Sequence, residues 1–170
     1  MSPKVSIIMG STSDLKVMED AFKFLDEMEI PFEVNAYSAH RTPELVSEFA
    51  STAYNRGVRV IIAAAGGAAH LPGVVAAFTP IPVIGVPINS SNSIKGIDSL
   101  LSIVQMPSGI PVATVAIDGA RNAAILAMQI LAAGDTELFQ RMLIFKQDLK
   151  DKVVKANKQI SELNYNHIIK

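Results

Sequence analysis

Five short apolar runs, each broken by a polar or glycine-rich turn, alternate with segments of helical periodicity and predict an α/β protein. The architecture expected is a three-layer αβα fold around a five-stranded parallel sheet, with a long helical arm at the C-terminus. Three observations carry this. The runs are nearly continuous in apolar residues, as strands covered on both faces are. The segments between them repeat their apolar positions every three or four residues. No strand-like run follows residue 134, where helical spacing alone persists.

Val5-Ser6-Ile7-Ile8-Met9 reads as the first strand, and Gly10-Ser11-Thr12-Ser13-Asp14 ends it. Val17, Met18, Ala21, Phe22, Leu25 and Met28 then fall on one helical stripe. The second strand covers 32–37. It leads through Ser38-Ala39-His40-Arg41 into a helix over 43–56 that Thr42 can cap, with Pro43 at its first position and Gly57 suited to its C-cap. The buried stripe expected of that helix is Leu45, Val46, Phe49, Ala50 and Ala53. The third strand, 58–65, breaks into Gly66-Gly67-Ala68-Ala69-His70-Leu71-Pro72-Gly73. The fourth, 83–86, is framed by Pro82 and Pro87, and a polar, mobile loop is expected over 89–96. A helix over 97–106 should bury Leu100, Leu101 and Val104. The fifth strand, 111–117, precedes a helix over 120–133 whose many alanines let another backbone approach, within the sheet layer or across a subunit boundary. From Asp135 to about Leu163 the apolar spacing predicts one long amphipathic helix, whole or broken, packing on the domain or on a neighbouring subunit. Residues 164–170 are expected to fray, with His167 in solvent.

At 170 residues the chain suits one domain, 1–170, with a core over 4–134 and the arm over 135–170. Hydrophobic residues make up 49% of it, at the top of the range for a soluble domain, so some apolar surface is expected to meet other copies of the chain. No run is long enough to span a bilayer, and residues 1–4 lead into the first strand without a cleavable signal pattern, which predicts a cytoplasmic protein without membrane association. The absence of Cys excludes disulfides and thiolate chemistry. A net charge of −1 without Trp or an aromatic-basic stripe argues against nucleic acid as a partner, leaving a small molecule.

Parallel sheets deliver the C-terminal ends of their strands to one edge, where ligands collect. In a flavodoxin-like strand order, the first and third strands flank the crevice. The loops 10–14, 38–42 and 66–73 all lie there. His40 can change charge near neutral pH, and Arg41 can hold an anion in fixed geometry, although a helix cap facing water would use the same residues. Gly10, Ser11 and Ser13 before a helix form a plausible anion cradle, or else a turn capped by Ser13 or Asp14. Asp14 could instead accept from ribose hydroxyls. The consecutive Gly66 and Gly67 let a loop present backbone N–H groups. His70 is either a capping residue or a ligand contact. Neither phosphate-loop nor dinucleotide glycine spacing is present, and no Asp, Glu or Cys stands beside His40 and His70 to complete a metal sphere. A flat, phosphate-bearing ligand beside one titratable His points to proton transfer at carbon or nitrogen.

Four segments, Met9 to Asp14, Ser38 to Pro43, Ala65 to Gly73 and Gly96 to Pro107, closely resemble the N5-carboxyaminoimidazole ribonucleotide mutases of de novo purine synthesis, class I of the PurE family. The resemblance covers about 4–133. It implies a reversible carboxyl transfer from the exocyclic nitrogen to ring carbon C4, in a homo-octamer that needs no cofactor, ATP or metal. It implies that His40 is catalytic, that Ser11, Ser13, Asp14 and Arg41 hold phosphate and ribose, and that Gly66, Gly67, Ala68, His70 and Leu71 are the third-loop contacts. Gly10, Ser38 and Ala39 complete the implied substrate-binding set. A second branch carboxylates aminoimidazole ribonucleotide directly with carbon dioxide, and its third loop differs from the Gly-Gly-Ala-Ala-His-Leu-Pro form here. A non-enzymatic module on a flavodoxin-like sheet is the rival of another class, but a receiver domain would need acidic residues where this chain has Gly-Ser-Thr-Ser and Gly-Gly.

Overall fold

The computed structural model describes residues 2–169. Its sheet contains β1 (Val5–Met9), β2 (Phe32–Ala36), β3 (Val60–Gly66), β4 (Val83–Ile88) and β5 (Ala113–Thr114), all parallel and in the order β2-β1-β3-β4-β5. The helices are α1 (Leu15–Glu27), α2 (Pro43–Thr52), α3 (Leu71–Phe78), α4 (Ile97–Val104), α5 (Ala120–Ala132) and α6 (Thr136–Ser161). Helices cover both faces of the sheet, as five successive strand-helix units require. Pairing of Met9 with both Ala36 and Ala64 brings the ends of β1 and β2 level, two residues short of the end of β3, so the loops that follow all three emerge at one edge of the sheet.

One sheet face buries Ile8, Ile61, Ala63 and Val83 with Val46, Phe49 and Ala50 of α2, Val75 of α3 and Ile103 of α4. The alternate residues Ile7, Ile62 and Ile84 point to the other face and are equally inaccessible. Arg121 of α5 ties back to α1, 3.3 Å from a Glu27 carboxylate oxygen and 5.1 Å over the Phe24 ring. The stripe expected on α1 holds for Met18, Ala21 and Leu25. Val17, Phe22 and Met28 are only half-buried, and Phe24 is fully buried in their place.

Several sequence expectations shift. The second helix stops at Thr52, because the chain loosens into turns over 53–57, which end in Gly57 at φ +101°. The Arg56 side chain holds these turns, donating to the Phe49 carbonyl (3.1 Å) and to Glu33 Oε1 (2.9 Å). Leu45, expected in the core, is 39% exposed. Pro87 lies within β4 rather than closing it. The carbonyls of Gly85 and Pro87 accept from Val115 and Asp118 N–H on the β5 side, so the N–H that Pro87 lacks falls where the two-residue β5 has already ended. β5 is accordingly far shorter than the run 111–117. In α4 the apolar stripe is out of phase with expectation: Ser99 and Ile103 are buried, Leu100 is half-buried, and Leu101 and Val104 are 50% and 48% exposed.

The chain clusters into two compact units that divide between Leu131 and Ala132. The second contains α6 as one unbroken helix, capped by Asp135, whose carboxylate accepts from Glu137 and Leu138 N–H. Met142 and Phe145 are its buried residues, and Leu149, Val153 and Ile160 are exposed. His167 is exposed, and the Lys170 end of the segment expected to fray lies outside the described residues.

Candidate active site

The loop after β1 leaves the sheet at Gly10, whose N–H donates to Ala64 O (3.1 Å), and tightens into a 3-10 turn over Thr12–Asp14. Ser11 caps that turn, its hydroxyl accepting from Ser13 N–H (3.3 Å); neither Ser13 nor Asp14 makes a capping bond. Ser13 Oγ instead donates to Asp14 Oδ1 (3.1 Å). Asp14 is only 3% exposed, and burial raises its carboxyl above the usual value of 3.8, against the partial offset of the Ser13 hydroxyl and the Ser11 backbone bond.

The loop after β2 is closed by Thr42 in an unexpected way. Thr42 occupies the N-cap of α2 with Pro43 behind it, yet its hydroxyl does not cap the helix. It turns back, accepting from Ser38 N–H (3.0 Å) and donating to Ser38 O (3.1 Å). Ser38 Oγ in turn accepts from Arg41 N–H (3.3 Å). The tight loop holds His40 and Arg41 outward, and Arg41 forms no ion pair among the described residues.

In the loop after β3 the amides are largely spent on the protein itself. Gly67 N–H donates to Ser99 Oγ (2.9 Å), Ala69 N–H to Gly67 O (2.8 Å) and His70 N–H to Ala68 O (2.7 Å). The expected array of N–H groups facing a ligand is therefore mostly absent, and the loop shows its Ala68 and His70 side chains. The glycines serve packing and turning. A Cβ at Gly66 would collide with the Ser90 side chain and lie 3.1 Å from Ile88 O, and Gly67 sits at φ +63°. Ser99, fully buried, also donates to Ile88 O (2.9 Å), so one hydroxyl clamps the glycine loop to the end of β4.

These loops surround one cavity of about 340 Å³. Gly10, Ser11, Ser13, Asp14, Ser38, Ala39, His40, Arg41, Gly66, Ala68, His70 and Leu71 all line it, whereas Gly67 is buried behind it on Ser99. Ala65 and Asn92 line it as well. Asn92 could have been found: it belongs to the polar run 89–93 directly after β4, and its Oδ1 accepts from Ser90 Oγ (2.7 Å). That loop is internally bonded, with Ser93 donating to Ser90 O (2.9 Å) and to Asn89 Oδ1 (3.1 Å).

Across the cavity His40 Nε2 stands 2.7 Å from His70 Nδ1, with the rings 78° apart. No group of three or more His, Cys, Asp or Glu side chains that could hold a metal occurs among the described residues. The wall thus offers a guanidinium and hydroxyls for an anion, a carboxylate for sugar hydroxyls, and an imidazole pair for proton transfer, in a volume within the range of small-molecule pockets.

The family model for AIR carboxylase matches residues 4–152. The chain is 60% identical over 148 residues to the N5-carboxyaminoimidazole ribonucleotide mutase of Pyrococcus abyssi, covering 87% of this chain and 84% of that one. It is 53% identical over 164 residues to the phosphoribosylaminoimidazole carboxylase of Schizosaccharomyces pombe, 96% of this chain but 30% of that longer protein. The crystal structure of Treponema denticola PurE2-S38D superposes with a TM-score of 0.82 at 28% identity, over 94% of this chain and 98% of that one.

Proposed function

Because the chain belongs to the AIR carboxylase family, we propose that it catalyses the mutase reaction of purine synthesis, converting N5-carboxyaminoimidazole ribonucleotide to 4-carboxy-5-aminoimidazole ribonucleotide on the way to inosine monophosphate. The observation that carries the reading is the gathering of His40, Arg41, Asp14, Ser11 and Ser13 from separate loops around one cavity. Relatives of the stated mutase name match this chain over most of both lengths, whereas the fungal carboxylase shares only a part of its own length.

In this mechanism Ser11, Ser13 and Arg41 hold the phosphate, and Asp14 accepts from the ribose hydroxyls. The exocyclic N–C bond breaks, carbon dioxide departs, and the nitrogen takes a proton from His40. Ring carbon C4 then attacks the retained carbon dioxide, a C–C bond forms, and His40 receives the proton that C4 loses. Atoms balance without a cofactor, and one imidazole acts first as acid and then as base. Holding carbon dioxide beside the ring replaces an encounter from solution, an advantage on the order of several kcal/mol.

The assembly is a homo-octamer in the cytoplasm. Exposed apolar residues at helical spacing, Ile94, Ile97, Leu101 and Val104, support association, and no described helix is long and apolar enough to cross a membrane. The activity is tested by offering purified protein either N5-carboxyaminoimidazole ribonucleotide or aminoimidazole ribonucleotide with bicarbonate. Rapid consumption of the first is expected; efficient consumption of the second pair alone would make the protein a direct carboxylase.

A further inference from the structure

A 2.7 Å separation between His40 Nε2 and His70 Nδ1 admits one hydrogen between the rings. Two lone pairs would repel there, and two N–H groups would collide. We propose that this hydrogen belongs to His40 and that His70 is a positioning residue: its Nδ1 lone pair fixes a proton on His40 Nε2, leaving His40 Nδ1 as the one nitrogen that exchanges protons with substrate. This assignment rests on the catalytic reading of His40 given above.

The direction of the bond follows from two constraints. Were His70 the donor, His40 would accept at Nε2 and carry its only proton on Nδ1, and giving that proton to substrate would leave an imidazolate. With His40 as donor, the cation carries protons on both nitrogens and the neutral ring keeps the Nε2 proton. The same hydrogen bond therefore survives the acid step and the base step. The second constraint comes from the catalytic reading itself: the proton given to substrate is carried by His40, which meets His70 only through this one bond. The pair's excess proton thus rests on His40. A fixed tautomer matters because a neutral imidazole free to choose would present an N–H where the reaction needs a lone pair.

The test uses 15N-labelled full-length protein. In the wild type the ring correlations of neutral His40 are expected to report protonation at Nε2. In His70→Leu the neutral ring becomes a mixture of tautomers, and kcat falls roughly 10- to 100-fold with KM changed less than about threefold. His70→Asn, whose amide oxygen can accept in place of Nδ1, restores most of the rate. An unaltered His40 tautomer in His70→Leu, or a loss confined to KM, would overturn the proposal and make His70 a substrate contact only. Failure of the catalytic reading looks different: His40→Asn would then keep its turnover, whatever the tautomer in the wild type.

Discussion

Asp14 illustrates, at the scale of one residue, what the cavity costs the free protein. Its carboxylate is buried with one hydroxyl donor, Ser13, so the ionised form is poorly solvated and the proton is held more tightly than in the unfolded chain. A folded-state value raised above 3.8 means that ionisation destabilises the fold at neutral pH, and that this penalty fades as pH falls through the raised value toward 3.8. Asp14→Asn is therefore expected to be more stable than the wild type near pH 7, with the advantage shrinking toward pH 4, as read by denaturant titration across that range. The same variant is expected to bind the ribonucleotide about 10- to 100-fold more weakly, because a charge-assisted hydrogen bond is replaced by a neutral one. A variant that loses affinity without gaining stability would show that burial of Asp14 carries no penalty. The sequence alone leaves Asp14 as a ribose contact or a cap; it makes no capping bond, and the ribose contact is the role proposed for it here.

Among the elements, α4 combines a missed phase with a missed role. Its sequence is apolar at Ile97, Leu100, Leu101, Ile103 and Val104, so periodicity names a helix without naming the face it buries. What settles the phase is polar: Ser99 turns inward, accepting from Gly67 and donating to Ile88, and Ile103 follows it one turn on. Ser99→Ala would leave a buried N–H and a buried carbonyl unpaired, at a cost of about 1–3 kcal/mol, and should loosen the loop that carries His70. A fall in thermal midpoint together with a lowered kcat/KM is the expected outcome, and an unchanged kcat/KM would disconnect Ser99 from the site. Strand order and most of the loops were legible, since β1, β3 and β4 are continuous apolar runs with glycine or proline breaks. The limits of β5 and the exposure of Leu45 were not, because both depend on which neighbour happens to lie opposite. Asn92 is hidden for a related reason: a polar run after a strand carries no sign of which side chain faces a ligand, and only the end of β4 places Asn92 on the cavity wall.

Across the whole molecule, the high apolar content leaves Ile94, Ile97, Leu101 and Val104 in water when one chain is taken alone, with Ile94 75% exposed. A surface of this kind rarely stays solvated, and the proposed octamer would cover it. Light scattering should return about eight times the 18.2 kDa chain mass, and Leu101→Glu should lower that mass. A monomer at micromolar concentration would refute the assembly. The central claim is nevertheless chemical, that a single imidazole carries the proton in both halves of the carboxyl transfer. It is tested most directly by measuring turnover of N5-carboxyaminoimidazole ribonucleotide by His40→Asn, with ribonucleotide affinity determined on the same preparation. The account predicts a loss of turnover of roughly 100- to 10,000-fold with affinity preserved within a few-fold, and near-normal turnover in that variant would contradict it.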